Sequence, residues 1–495
     1  MAEDATYALY IDWNDDGDFG EANEDVSDDL IAATVTRGFA DSLKRVAGVG
    51  RMTCVLDNEA QTYSPPFSSD ARPWRAAKLH MTYSGTTTTL FAGYLNTIRP
   101  TPGRFEDRQA TVLCVDAMRK LERDQGRIAL QTDVRAHDLI EDVVAAVYTP
   151  SSTSYENGLN VFVTSTPRWV FQESDLTEEI NAAQKITEIC ASDWGRFFIA
   201  ADGTPTYYNR HHIPLDDTVA FTLDNDMLRM AYQQAADDIF SEVNATVFPR
   251  SIGVIPEVLG KIDQRDAPRI EASGTLTLTV YFRDTVNAKV RIGGLDVVEP
   301  VADTDYECTS DPEGEGDDET ANVTVSSFDT YSDQVKITLS NAAAHPVYVQ
   351  RLRVRGTAVR SREQVTVTET GTNEGVPFNV RTPLLDDVFD GTALAEHLIN
   401  RRGEAVHDVR NVQLVANESA ARMAAVRDAE LLQRVTLTEA QTGLSSLAGY
   451  IYWLQHDIVR GHHTLTFHIG PQYTYSGDPF TIGTSTIGGT DVLIY

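Results

Sequence analysis

Short apolar runs alternate with polar residues along the first part of the chain and stop at clusters of Gly, Pro, Asn and Asp. Tyr7 to Trp13 reads as a strand that runs into the acidic loop Asn14 to Gly20, and Ile31 to Thr36 as a second strand ending at Arg37-Gly38. Met52 to Asn58 gives a third, followed by the turn Tyr63-Ser64-Pro65-Pro66 and a basic stretch through Arg72, Arg75 and Lys78. Lys78 to Tyr83 and Thr87 to Phe91 flank Ser84-Gly85 and predict a hairpin, with Ala92-Gly93-Tyr94 beyond it. Gln109 to Asp116 alternates with Ala110, Val112 and Cys114 on one face. Ala117 to Arg123 predicts a short closing helix. Short strands bounded by turn residues predict a β-barrel or sandwich over residues 1–125.

Helical spacing appears next. Asp133 to Tyr148 carries Leu139, Val143 and Val147 on one stripe and stops before Pro150. Thr177 to Asp193 predicts a second helix, with Thr177 as N-cap, Glu178 and Glu179 at the positive end, and Ile180, Ala183, Ile186 and Cys190 buried. Arg196 to Tyr208 reads as a hairpin about Asp202-Gly203, so residues 126–210 predict a small α/β domain. Residues 211–266 plus 361–390 predict a connecting β region through Val219 to Leu223, Glu242 to Val247 and Glu363 to Thr368. Between them, residues 267–360 show β signals at Thr275 to Phe282, Lys289 to Ile292, Asn322 to Val325, Gln334 to Leu339 and Val347 to Arg355. That pattern predicts an inserted β-sandwich with its ends, near Pro268 and Val359, close together. Residues 391–495 hold a helix at Thr392 to Arg402, with Leu394, Leu398 and Ile399 on one face. They also hold strands Leu447 to Val459 and Thr464 to Ile469 across Arg460-Gly461-His462-His463. They predict a second β-barrel domain with a Gly-rich tail, Phe480 to Tyr495, able to dock on a neighbouring chain. The fold class expected is mainly β with a small α/β part: two β-barrel domains, an α/β unit and an inserted β-sandwich.

Composition narrows the classes. A chain of 495 residues exceeds one ordinary domain, and no apolar run reaches the 18 residues of a membrane helix. Met1-Ala2-Glu3-Asp4 has neither the basic start nor the apolar run of a cleaved secretory signal. Cys54, Cys114, Cys190 and Cys308 are far apart and form no CxxC pair, and Cys54 and Cys114 sit in strand-like runs that predict burial. The formal charge of −32 comes from 45 Asp and 28 Glu against 34 Arg and 7 Lys. It excludes a DNA-gripping basic surface over most of the protein. Such acidity suits a high-salt cytoplasm, where screening removes self-repulsion, or an acidic channel encoded by a GC-rich genome. A halophilic archaeal host is favoured.

The order of these cues, densest at 7–123, 177–209 and 430–495, resembles the distal tail hub and minor tail proteins of long-tailed (siphovirus-like) viruses. The likeness to baseplate hub proteins is more distant. The resemblance implies a structural virion protein at the distal end of the tail, assembled in the host cytoplasm. It implies a homotrimer whose two barrels per subunit alternate into a pseudo-sixfold ring around the DNA exit channel used in ejection. The partners implied are the tail tube or distal tail protein, the tape-measure protein, and tail fibres or a tip protein. DNA is expected only in transit, with no membrane insertion. Hubs of this kind carry no catalytic residues, so no enzyme is expected. A receptor- or glycan-binding tail module is the alternative. A tail-associated cell-wall hydrolase is disfavoured by the lack of GxSxG, HExxH and GxxxxGK[ST] motifs.

One local motif carries chemistry. Asp12, Asn14, Asp16 and Asp18 place side-chain oxygens at positions 1, 3, 5 and 7 of a loop, with Gly17 at 6, as in the first half of a calcium loop. Asn23 falls at position 12, with Glu24 one later, and a strand precedes the loop where an EF-hand has a helix. The competing expectation is an acidic solvated turn; with a cation bound, Phe19 would anchor the loop on the barrel. His211-His212 and His462-His463, the latter near His456 and His468, alternate faces on a strand and predict solvated turns rather than zinc ligands. Asp311 to Glu319 predicts a mobile acidic tip.

Overall fold

The computed structural model describes residues 4–471 except 22, 66–70, 103–107, 133, 160, 163–180, 217, 226 and 264–266. Strands account for 47% and helices for 16%, which makes the chain mainly β with several sheets. Among the described residues no helix is long and apolar enough to cross a membrane.

The N-terminal strands are β1 (Thr6–Ile11), β2 (Leu30–Gly38), β3 (Arg51–Asp57), β4 (Ala76–Tyr83), β5 (Thr86–Thr101) and β6 (Gln109–Val115). They lie in the order β1-β4-β5-β6-β3-β2. Period-two patterning decides which way each faces: β3 buries Met52, Cys54 and Leu56, and β6 buries Ala110, Val112 and Cys114. Ser84 (φ 52°) and Gly85 (φ 78°) both take left-handed backbone between β4 and β5, the two-residue turn whose twist matches flanking strands. Along the outer edge of β1, Val26 N–H donates to Leu9 O and Ile11 N–H to Glu24 O, each at 2.9 Å. The segment around Glu24 is thereby stitched to the strand that delivers Asp12.

The sheet does not end at β2. Its far edge pairs antiparallel with strand Leu444–Val459, from Ala32 opposite Val459 to Gly38 opposite Trp453. The first half of that same edge pairs with strand Arg434–Glu439, and the opposite edge pairs with strand His462–Pro471. The result is one 12-stranded sheet containing strands from both ends of the chain. The expected two β units therefore share a sheet and a core in which Val35, Met52 and Phe91 meet Leu454, Leu465 and Phe467. No closed ring of ladders is seen among the described residues. At Gly38 (φ 127°) a Cβ would fall 2.4 Å from Tyr452 O, so only glycine fits where the chain leaves the seam.

Helices cover the junctions. They are α1 (Met118–Arg123), α2 (Ala136–Ala145), α3 (Ala182–Asp193), α4 (His212–Leu215), α5 (Val388–Arg402) and α6 (Ala420–Asp428). α2 is shorter than expected because Val134-Arg135 pairs as a strand with Val161-Phe162. α3 is capped by Asn181, whose side chain accepts from Gln184 N–H while Gln184 reaches back to Asn181 N–H. The expected cap Thr177, with Glu178, Glu179 and Ile180, lies outside the described residues, as does the Gly-rich tail. The hairpin Arg196–Ile199 with Pro205–Tyr208 forms about Gly203 (φ 90°). α5 packs on strand Phe240–Val247, which pairs with Val365–Thr370 and Val376–Thr382.

Strands between Arg250 and Ser361 build two sheets, one of six strands gathered on the long strand Val347–Ser361 and one of three. Leu259, Val280, Phe282, Ile337, Leu352 and Val354 fill the space between them. The strand expected at Lys289 to Ile292 begins later, at Gly293–Val298. Entry and exit run side by side, with Arg250 paired to Ser361 and Ile252 to Val359. All four cysteines are buried and unpaired.

Candidate cation site

Three features hold the acidic loop in place. Asp12 N–H donates to Ala76 O at 3.0 Å, tying the loop to β4. Trp13 is buried with its ring 6.1 Å from that of Tyr63. The far end is fixed by the Glu24 to Val26 stitch on β1. Within the loop each acceptor folds over the backbone behind it. Asp12 Oδ1 accepts from Asp15 N–H at 2.5 Å and Oδ2 from Gly17 N–H at 3.0 Å. Asn14 Oδ1 accepts from Asp16 N–H at 3.2 Å, Asp16 Oδ1 from Asp18 N–H at 3.0 Å, and Asp18 Oδ1 from Gly20 N–H at 2.8 Å. Left-handed backbone at Asp15 (φ 69°) and Gly17 (φ 89°) curls the segment tightly. Asp15 points outward and pairs with Arg75 at 2.8 Å, which leaves it out of the cluster.

Carboxylate oxygens of Asp12, Asp16 and Glu24 lie within 4.8 Å of one another, and so do those of Asp16, Asp18 and Glu21. Oxygens that share one calcium ion at ~2.4 Å each lie at most about 5 Å apart. Asp16 belongs to both sets, so the sequence-predicted Asp12, Asp16 and Asp18 are brought into one acidic pocket. Asn14 flanks it, its Nδ2 donating to Asp16 Oδ2 at 2.9 Å.

Glu24 is the residue that motif spacing missed. It is 1% exposed, as is Asp12. One of its oxygens accepts from Glu21 N–H at 3.3 Å, while Oε1 is buried without a hydrogen-bond partner. Burial first, then the neighbouring Glu21 side chain and the charges of Glu21 and Asp12, push its carboxyl up to about 7, against the lowering effect of the Glu21 backbone N–H. A buried carboxylate oxygen with no donor is costly unless the group keeps its proton or a cation takes the place of the donor. All-oxygen ligands of high charge suit a hard cation such as calcium and do not suit zinc. No local sequence signal marks it, because its burial follows from the pairing of Asp25 and Val26 with β1. Phe19 is half-buried under the Lys78 ammonium, 4.5 Å from its ring centre.

The histidines depart from expectation at two positions, His463 and His211. The turn is Arg460-Gly461 and the strand resumes at His462. His463 consequently faces inward and is fully buried rather than solvated. Its Nε2 is hydrogen-bonded to His456 Nδ1 at 3.0 Å within the C-terminal hairpin, and its Nδ1 to Tyr7 Oη of β1 at 2.8 Å. His211 is also buried, and His212 stacks on Tyr208 with ring centres 3.6 Å apart.

No protein-family profile and no curated protein sequence matches the chain. Solved structures do. The tail protein from Neisseria meningitidis MC58 aligns at 8% identity and TM-score 0.49 over 94% of this chain and 96% of that one. The 43 kDa tail protein of prophage MuSo2 from Shewanella oneidensis aligns at 8% identity and TM-score 0.47, covering 94% and 98%. Prophage tail protein gp18 from Listeria monocytogenes EGD-e aligns at 6% identity and TM-score 0.41, covering 94% of each. These are likenesses in the course of the chain, and what those proteins do belongs to them.

Proposed function

We propose that the chain is a structural, non-enzymatic component of a viral tail, a hub that assembles as a homotrimer at the distal end. The observation that carries this reading is the seam between β2 and strand Leu444–Val459, which fuses an N-terminal and a C-terminal β unit edge to edge in one subunit. Three such subunits present six β units, the number a sixfold tail tube requires, and the strand pattern of the sequence supports the same reading. In this role the chain joins the tail tube or distal tail protein to fibres or a tip, and DNA passes through without being gripped. The test is mass photometry at molar salt followed by negative-stain imaging. A three-chain ring with a central channel is expected; only monomers or hexamers would overturn the assignment.

The loop from Asp12 to Glu24 is proposed to hold calcium, with Asp12, Asp16 and Glu24 as the charged ligands and Asn14 and Asp18 beside them. Its place on β1 makes it a stabiliser of the N-terminal unit.

One observation favours a second role for the inserted sheets. Val254 and Val286 are almost wholly exposed, and Ile255 largely so, at turns that Thr285 and Glu257 bring together through a 3.3 Å hydrogen bond. Apolar tips of this kind suit contact with a host receptor or a fibre. Substituting all three by Ser should leave the trimer intact and reduce adsorption of assembled particles; unchanged adsorption would remove this role.

A further inference from the structure

The loop after β2, the α/β hairpin, α5 and strand Leu444–Val459 meet around a cavity of about 60 Å³. Arg45, Arg196, Arg210, Arg401 and Arg402 all reach its lining, and no carboxylate is among the described lining residues. In a chain with 73 acidic and 41 basic side chains this is a local inversion of charge.

Three of the arginines are held by uncharged groups. Arg196 is 6% exposed and donates Nη2 to Ser42 O at 2.9 Å and to Tyr450 Oη at 2.5 Å. Arg45 donates to Leu43 O at 2.8 Å and Ser42 O at 3.0 Å, and lies 4.3 Å over the Trp194 ring. Arg402, 5% exposed, donates to Ser42 Oγ at 2.7 Å. These bonds fix the guanidiniums in place without neutralising them. Arg196 Nη1 is buried with no hydrogen-bond partner. Like charges crowd the site: Arg196 and Arg402, after burial itself, hold Arg45 well below the usual arginine range, and Arg401 and Arg210 do the same to His397.

We propose that this cavity is a binding site for an inorganic oxyanion of the phosphate class. Guanidinium forks match the oxygen geometry of such anions, and a multiply charged anion offsets the mutual repulsion among Arg45, Arg196 and Arg402. A single water needs ~10–15 Å³ of the same kind of space, so the cavity has room for one compact tetrahedral ion. Residues from four separate parts of the chain contribute, so the bound ion acts as a clamp between the N-terminal loop, the α/β unit, α5 and the C-terminal strands.

The test is thermal melting of the full chain in chloride at constant ionic strength, titrated with inorganic phosphate, alongside equilibrium dialysis with labelled phosphate. Wild type should show a saturating rise in Tm and about one phosphate per chain. Arg196→Gln should abolish the rise, while Arg229→Gln, on an exposed strand outside the cavity, should keep it. Tyr450→Phe leaves every charge in place and removes one anchor of Arg196. It should weaken half-saturation several-fold, and it keeps the question open to measurement if Arg196→Gln does not fold. A wild type that phosphate does not stabilise, or Arg196→Gln and Tyr450→Phe variants that respond as wild type does, would overturn the site.

Discussion

Glu24 and His463 are both buried titratable groups, and their linkages to pH run in opposite directions. Glu24, raised to about 7 in the folded chain, keeps its proton after an unfolded glutamate has lost it. Without calcium its contribution therefore favours folding below about pH 4.5 and is lost as pH rises to 7. Calcium needs the carboxylate, so its affinity should fall by up to about tenfold per unit below pH 7. Calorimetric titration at pH 6 and pH 8 should show that fall in wild type and a weak, flat response in Glu24→Gln. Thermal melts should agree: wild type gains about 2–3 kcal/mol at a hundredfold excess of calcium over Kd, and Glu24→Gln or Asp12→Asn gains little. If both variants keep the full gain, the loop is an acidic turn only. His463 is lowered to about 3 chiefly by burial, and His456 is lowered with it. Unfolded histidine takes up its proton near pH 6.5, so their contribution to stability is intact above that and drains away towards pH 3. His463→Gln should flatten acid destabilisation over pH 6.5 to 4, measured as Tm against pH, and Tyr7→Phe should cost roughly 1 kcal/mol at neutral pH.

Among the elements, the inserted sheets invite dissection. Because Arg250 pairs with Ser361, replacing the intervening chain by a short linker should leave a folded protein with its oligomeric state unchanged. Cutting at residues 267 and 360 instead would leave strand Glu257–Ile262 without its partner Val347–Ser361, and light scattering should then report aggregation. Aggregation of both products would mean the sheets share a core with the rest. Elements with a local signature were legible in the sequence: the Ser84-Gly85 hairpin, the alternation of Gln109 to Asp116 and the hairpin about Gly203. α6 was not, because its Ala- and Arg-rich stretch buries only Met423, Ala425 and Val426. Asp12, Asp16 and Asp18, which the fold brings near one another, followed from spacing alone. Glu24 did not, since its burial depends on pairing to β1. The arginine cavity was equally silent, because its members are brought together only by tertiary folding.

Taken as a whole molecule, the chain carries −32 charges, and their mutual repulsion acts over a range set by salt. Screening shortens that range to roughly 3 Å at 1 M. Tm should therefore climb from dilute buffer to molar potassium chloride; a flat profile would remove the inference of a halophilic host. The seam between β2 and strand Leu444–Val459 also sets a schedule. Gly38 and Trp453 are 415 positions apart, so at ~5–20 residues per second the open edge of β2 waits roughly 20 to 80 s on the ribosome for its neighbour. Until then it offers unpaired backbone to any passing strand, a hazard for chains crowded on one message. The same wait acts as proofreading, because a chain cut short by a nonsense codon or a stalled ribosome cannot finish its central sheet.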